Sequence, residues 1–507
     1  MKRLKMTIGV LITSLSVIGC SGFLDETPDN RTKIDSPEKV GEVVTLAYPK
    51  GTFIEFADVM SDNAVDSEKI SVENVSNTEA FFWEDIRSES QDSPTYYWNA
   101  CYKAIAQANT AIEAADKMEA ELQSKGRTAE LQKNWGYKGE ALVARAYAHF
   151  MLVNLWAKTY NPATASSDMG IPYTRTVETT LLPAYERNSV QEVYDFIEED
   201  LLEGLDLIEY LERSPATEKF HFGVESAKAF ATRFFIYKGN FDKALEYSEN
   251  IPVNGSTLRD LTYYGSLGTE EVQVLYSDPS ETTNLLISSV MSNKAYTGGG
   301  RYNFRRAAAD AFLFSTDSNP FGKSWNFGTL AYTVSEQFLG RPKFVRSFEV
   351  TDPTNQTGFR YTNVVLFSND MLYLDRIEAL ISTNQLSEAL AMLNVFTKRS
   401  TINAGSGDVL TEAKLLAVGS STTIDPFYAS ELSDKQKAYL GYLADMRRRE
   451  SYLEGIRWFD VRRYNMELVH RNTYNSSREE ILTKDDNRRQ LQIPQMAISN
   501  GIPANPR

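Results

Sequence analysis

The densest run of chemistry-bearing side chains lies near the C-terminus, where Glu450, Glu454, Arg457, Asp460 and Arg463 follow one another at intervals of four, three, three and three. Two carboxylates a turn apart are what a glycosidase uses to protonate a leaving group and to activate water. Here each acid has an arginine within one turn, which keeps both ionised rather than raising one for proton donation. The spacing instead lets opposite charges meet along one helical stripe as a structural ion ladder. Glu140 and Arg145 read the same way. The chain has no Gly-x-Ser-x-Gly elbow, no His-Glu-x-x-His helix and no phosphate-binding loop. Gly298, Gly299 and Gly300 lack the Lys and Ser/Thr of a phosphate cradle and read as a flexible turn presenting Arg301 and Tyr302. Cys20 and Cys101 are the only cysteines, and His149, His221 and His470 are far apart, so neither a disulfide framework nor a metal site is expected. No cofactor is implied, and a calcium ion stiffening a loop would leave no trace in the residues. The chain reads as a binder, not an enzyme.

A binding surface needs other parts. A sugar ring offers an apolar face of C–H groups and a belt of hydroxyls, so its site combines flat aromatics with amides, carboxylates and guanidinium groups. Such mixtures occur at Phe81, Phe82, Trp83, Asp85 and Arg87, at Tyr296, Arg301, Tyr302 and Asn303, and at Trp325, Asn326 and Phe327. The expected stacking platforms are Trp83, Tyr296 and Trp325, with Tyr302 beside them and Arg301 and Asn326 as hydroxyl partners. Trp98, Trp135, Trp156 and Trp458 lie on helical patterns and are assigned to the core.

These clusters must be held by a scaffold, and the scaffold signal is helical. In Ser189 to Ile208, Val190, Val193, Ile197, Leu201, Leu205 and Ile208 recur at helical spacing behind a Ser189/Glu192 capping box. Similar patterns cover Pro94 to Met118, Trp135 to Tyr160, Val224 to Lys238, Phe241 to Asn250, Met371 to Thr383, Leu386 to Arg399 and Asp434 to Tyr464. Gly239 and Asn240 separate one pair, and Asn384 and Gln385 another, as in tetratricopeptide-like helix pairs. Residues 51–93 and 251–368, rich in Gly, Ser, Asn, Thr and aromatics, break the pattern and read as loops and short strands displayed on the helices. The expected fold class is therefore mostly α: a helix-pair scaffold with long irregular loops and short strands carrying the binding surface.

The N-terminus reads as an address. Lys2, Arg3 and Lys5 precede an apolar stretch from Met6 to Ile18, too short to span a bilayer comfortably, and Gly19 stands before Cys20. Val17, Ile18, Gly19 and Cys20 resemble a bacterial lipobox, which makes 1–19 a lipoprotein signal peptide, Cys20 the acylated residue, 20–36 a lipidated tether and 37–507 a single body. Cys101 is read as a buried helix residue. The formal charge is −15, and loss of Lys2, Arg3 and Lys5 with the leader takes it to −18. Such a field repels polyphosphate, so nucleic acid is excluded as a partner and neutral ligands are favoured.

Over nearly its full length the chain resembles the SusD/RagB family. The resemblance rests on Cys20 with Phe23, Leu24, Asp25 and Pro28; on Trp98, Tyr102, Ile105 and Asn109; and on Glu140, Ala141, Arg145, Ala146, Phe150 and Val153 followed by Gly170, Ile171 and Pro172. It continues in Ala389, Leu393, Asn394 and Arg399, and in Arg449, Glu450, Glu454, Gly455, Arg457, Trp458, Phe459, Asp460 and Arg463. The Ala157, Lys158, Thr159, Tyr160 run departs from the family pattern, and residues 255–365 carry no matching motif. The resemblance implies an α-helical, tetratricopeptide-containing lipoprotein on the outer face of the outer membrane. It would capture oligosaccharides and hand them to a SusC-like TonB-dependent transporter. An oligopeptide-binding member of the same family, a secreted all-helical glycosidase and a protein-binding helical scaffold are the competing readings.

Overall fold

The computed structural model describes residues 33–68, 74–180, 183–296, 300–327, 342–420, 422–473 and 478–507. The expected signal peptide, Cys20 and most of the expected tether lie outside the described residues, as do Gly298 and Gly299. The chain separates into two units, 1–36 and 37–507, and the helices and strands named below belong to the second.

Helices dominate and sit where the periodicity places them. The scaffold helices are α1 (Pro94–Ser124), α2 (Thr128–Trp156), α3 (Val190–Ile208), α4 (Val224–Lys238), α5 (Phe241–Tyr247), α6 (Asn369–Ser382), α7 (Leu386–Arg399), α8 (Asp434–Glu450) and α9 (Ile456–Arg463). Consecutive helices pack as pairs, α1 on α2, α2 on α3, α4 on α5 and α6 on α7, with α6 also against α4 and α8. Helix α3 begins with the expected capping box: Ser189 Oγ accepts from Glu192 N at 3.2 Å and the Glu192 carboxylate accepts from Ser189 N at 2.8 Å. The two short hairpin turns close in the same way. Gly239 (φ +77°) and Asn384 (φ +61°) take the left-handed conformation. The following residue then donates back into its helix, Asn240 N to Phe235 O at 2.8 Å and Gln385 N to Leu380 O at 2.7 Å.

The α2–α3 crossing is close because glycines line it. A Cβ on Gly139 would stand 2.5 Å from Ile208 N, and one on Gly204 2.7 Å from a Val143 methyl. With no side chain at either point, backbone approaches backbone and both helices bury their apolar stripes.

Two expectations about the C-terminal run are corrected. Residues 434–464 form two helices, since Leu453 (φ +65°) and Gly455 (φ +72°) turn the chain between α8 and α9. The charges consequently reach other elements. Glu450 pairs with Arg399 at 2.9 Å, Glu454 with Lys343 at 3.2 Å and Arg457 with Asp62 at 2.8 Å. Only Asp460–Arg463, at 2.9 Å, is a local pair as read. Glu140 does not meet Arg145 either. Five residues apart they face different ways along α2. Glu140 binds Arg213, His221 and Tyr48, while Arg145 grips Asp200 of α3 through two 2.7 Å bonds.

The irregular regions contain more helix than expected, at Ile54–Met60, Val75–Phe81, Leu261–Tyr264, Thr269–Tyr276 and Arg306–Phe312. Their strands are short. β1 (Val65–Asp66) pairs antiparallel with β3 (Tyr302–Asn303). β2 (Asn284–Met291), β4 (Ser347–Asp352) and β5 (Thr357–Ser368) form an antiparallel sheet in the order β2-β5-β4, and β6 (Leu468–Arg471) pairs with β7 (Glu479–Leu482). Trp156 and Trp458 are core residues as read, but Trp135 is half-buried, its indole donating to Glu119 at 3.0 Å. Cys101 is buried and free, and burial pushes its thiol well up.

Candidate functional site

The aromatic residues singled out in the irregular regions do not form a common surface. Trp83 is 2% exposed; its indole N–H donates to Met60 O at 2.8 Å and its ring stacks on His470. Trp325 is 1% exposed, donates to Ser318 Oγ at 3.0 Å and lies under the Arg449 guanidinium. Tyr302 is buried and stacked on Phe81 at 4.0 Å, and Asn326 is buried with its amide donating to Arg399 O at 3.2 Å. Arg301 is clamped on Asp66 by two 2.7 Å bonds and donates to Asn472 at 2.7 Å. The physical reason is common to the three aromatics, while Arg301 and Asn326 are spent on polar partners within the fold. An irregular segment over a core must bury apolar area too, and its aromatics are the groups that do so. Tyr296 alone of the three proposed platforms is half-exposed, with its hydroxyl on Ser347 O at 2.7 Å and Arg360 packed over the ring at 4.9 Å.

The site the structure offers instead is a cleft of about 590 Å³ built from three segments remote in sequence. Its floor is one stripe of α1: Thr95, Trp98, Asn99, Tyr102, Ala106, Asn109 and Thr110 recur at helical spacing. One wall is the 172–178 and 183–185 chain, with Pro172, Thr174, Thr176, Glu178 and Tyr185; the other is Pro494, Met496, Ala497, Asn500 and Ile502.

Each wall is tied to the scaffold. On the first, Tyr102 donates to Pro172 O at 2.9 Å, and the Asn109 amide donates to the carbonyls of Thr174 and Thr176, both at 3.2 Å. Asn109 is itself oriented by Arg145, which donates to its side-chain oxygen at 2.8 Å. Burial raises the Asp200 carboxyl, but hydrogen bonds and charge from Arg145 outweigh this and leave it below the usual range, a charged anchor for the arginine. His149 completes the support: Nδ1 donates to Arg145 O at 3.0 Å and Nε2 accepts from Thr174 N at 3.2 Å. Its ring stacks on Tyr173 at 3.7 Å, and burial holds its pKa down to about 3, so the imidazole is neutral. On the second wall, Trp156 Nε1 donates to Gln492 O at 3.1 Å and Asn505 donates to Trp156 O and Leu491 O, both at 2.7 Å. Trp156 in turn meets Trp98 edge-on at 5.1 Å.

The lining decides what the cleft can do. Aromatic and apolar groups (Trp98, Tyr102, Tyr185, Met496) alternate with amides and hydroxyls (Asn99, Gln107, Thr110, Asn500). Among the described lining residues there is no Lys, Arg or His, and the charged groups are Glu89 and Glu178. This composition suits an uncharged, hydroxyl-rich ligand with an apolar face and disfavours an anion. Sequence reasoning named Trp98, Tyr102 and Asn109 but not their shared role. The available signal was polar Thr95, Asn99 and Thr110 on the same helical face as two large aromatics.

Comparison with known proteins adds to this geometry. The family model described as "Starch-binding associating with outer membrane" matches residues 22–236, and the model described as "SusD family" matches residues 322–500. The chain belongs to the SusD/RagB family. A SusD superfamily protein from Bacteroides thetaiotaomicron is 18% identical with a TM-score of 0.64, covering 92% of this chain and 98% of that one. A protein described as sugar binding, from Bacteroides vulgatus, is also 18% identical with a TM-score of 0.64, covering 94% and 99%. A SusD-like carbohydrate binding protein from the same species is 16% identical with a TM-score of 0.59, covering 92% and 96%. These structures share the SusD fold with this chain. A search of the curated proteins returns no match. The mostly helical, tetratricopeptide-like scaffold of this SusD-family chain agrees with the fold expected from its periodicity, and among the described residues no helix is long and apolar enough to cross a membrane.

Proposed function

We propose that this SusD-family chain is a surface lipoprotein, anchored through Cys20, that captures uncharged oligosaccharides in the α1 cleft and delivers them to a SusC-like TonB-dependent transporter without catalysis. The observation that carries the reading is the cleft lining: aromatic and aliphatic groups interleaved with neutral donors and acceptors, and free of cations among the described residues. The description of one similar structure as sugar binding and of another as carbohydrate binding supports it. A family model description that mentions the outer membrane supports the location. The buried carboxylates of the C-terminal run face arginine or lysine, which supports a binder over a glycosidase.

The test is calorimetric titration of the purified protein with neutral oligosaccharides, beside peptides of similar length, for wild type, Asn99→Ala and Tyr185→Ala. The expected result is saccharide binding weakened about tenfold by each substitution, the cost of about 1.4 kcal/mol, with far-UV circular dichroism unchanged. Peptide binding in place of saccharide binding, or saccharide affinity indifferent to both substitutions, refutes the assignment.

A further inference from the structure

A second chamber, of about 500 Å³, opens between the 158–168 loop, residues 425–427, the end of α9 and the 485–490 segment. Among the described residues it shares no lining residue with the α1 cleft. Two of its arginines lack the carboxylate partner that most buried arginines have; Arg449, which donates to Phe312 O and packs over Trp325, shares this feature but lines neither chamber. Arg145, Arg447, Arg457 and Arg463 each face a carboxylate. Among the described residues Arg462, 4% exposed, makes one hydrogen bond, from Nη2 to Ala157 O at the end of α2, and its Nε has no partner. Arg489 is buried as well and donates only to carbonyls, those of Val461, Met466 and Thr483. Among the described residues neither guanidinium forms an ion pair.

Carbonyl oxygens accept hydrogen bonds but carry no full negative charge. Two guanidinium groups held near each other at low dielectric are therefore left short of counter-charge, an arrangement that burial penalises. Burial, the largest influence on each, pulls both down to about 10, so both remain cationic at neutral pH. Asp486, Asp485 and Glu467 act on Arg489 through space, but among the described residues no carboxylate acts on Arg462, and the acids that line the chamber are engaged elsewhere. Asp168 pairs with Lys158 at 2.8 Å, Asp425 with Lys484 at 2.5 Å and Asp486 with Arg488 at 2.8 Å. Asp485 is exposed and accepts from the Asn465 amide at 3.3 Å.

We propose that this chamber binds an oxoanion, a carboxylate, sulfate or phosphate group, which docks on Arg462 with Arg489 adding positive potential behind it. A guanidinium edge presents parallel N–H donors that match two oxygens of such a group, and the charge-assisted bonds would occupy donors that the fold leaves open. The chamber is larger than a bare ion needs, so the group can arrive as an inorganic ion or as the acidic substituent of a saccharide. This site is independent of the cleft reading, and failure of either leaves the other standing.

The test titrates the purified protein with sodium sulfate, sodium phosphate and sodium galacturonate, against galactose and sodium chloride at matched ionic strength. Wild type and Arg462→Met are compared. Expected is saturable binding of at least one oxoanion, weakened tenfold or more in Arg462→Met, with neutral-saccharide binding in the cleft unchanged. Arg462-dependent binding of galacturonate alone identifies an acidic sugar as the ligand; binding of sulfate or phosphate alone identifies an inorganic ion. No oxoanion response beyond that of chloride, or the same response in Arg462→Met, overturns the proposal. Should Arg462→Met fail to fold, wild-type crystals soaked in selenate decide: an anomalous peak beside Arg462 supports the site, and an empty chamber overturns it.

Discussion

His149 gives the α1 cleft a measurable dependence on acid. In the folded chain the ring is buried, donates through Nδ1, accepts through Nε2 and has its pKa lowered to about 3 by burial. Unfolded, it titrates near about 6.5. Between these values the unfolded chain binds more protons than the native one, so stability is fully present above about pH 6.5 and falls as the pH drops through the window. At pH 4.5 the difference spans two pH units below the unfolded value, a loss of roughly 2–3 kcal/mol from this one side chain at about 1.4 kcal/mol per unit. The assay is urea unfolding at pH 7.5 and 4.5 for wild type and His149→Gln, which removes the titration. Other acid-sensitive groups, including His470 with its pKa lowered to about 4, are retained in both proteins and cancel in the comparison. The wild type should lose roughly 2–3 kcal/mol more than the variant over this interval. Equal losses would show that His149 titrates alike in both states and that its neutral, two-bonded geometry is wrong.

Three further outcomes are expected. Gly139→Val should cost about 1–3 kcal/mol or more in urea unfolding, because its side chain would meet the Ile208 backbone rather than a flexible side chain. Arg145→Met should cost up to about 3 kcal/mol, the low end for breaking a buried pair, because Asp200, 2% exposed, loses its two bonds to Arg145 and keeps only Tyr173 and the part-exposed Arg175; adding Asp200→Asn should recover part of that loss, and no recovery would place the cost elsewhere. Cys101, buried and with its thiol pushed well up, should resist a thiol reagent in the folded protein and react on unfolding, as followed by labelling rate against urea concentration.

The features a sequence announces and those it hides differ in the range of the forces behind them. Helices α4 and α7 run as the apolar spacing predicts, and both hairpin turns fall at the predicted residues, because periodicity, capping and a left-handed turn residue are local. The break after Glu450 is local too, but it depends on Leu453 and Gly455 adopting positive φ, and a leucine gives no such warning. Charge partners are different. Glu140, Arg457 and Glu454 meet residues dozens to hundreds of positions away, so spacing along one helix could not identify them. The site failed for the same reason. Trp83 and Trp325 stand in polar, irregular surroundings in the sequence and in apolar surroundings in space, whereas the cleft arises only where α1, the 172–178 and 183–185 chain and the 494–502 segment converge.

That convergence bears on when the protein becomes competent. One rim of the cleft is fastened by bonds such as Trp156 to Gln492 and Asn505 to Trp156, which join positions 336 and 349 residues apart. Closing such long loops comes late in folding. The helical stack can therefore assemble from its N-terminal side while the pocket still has an open flank, and receptivity to ligand should arrive in one late step. A fusion or truncation near Arg507 would then abolish capture while leaving helicity nearly intact.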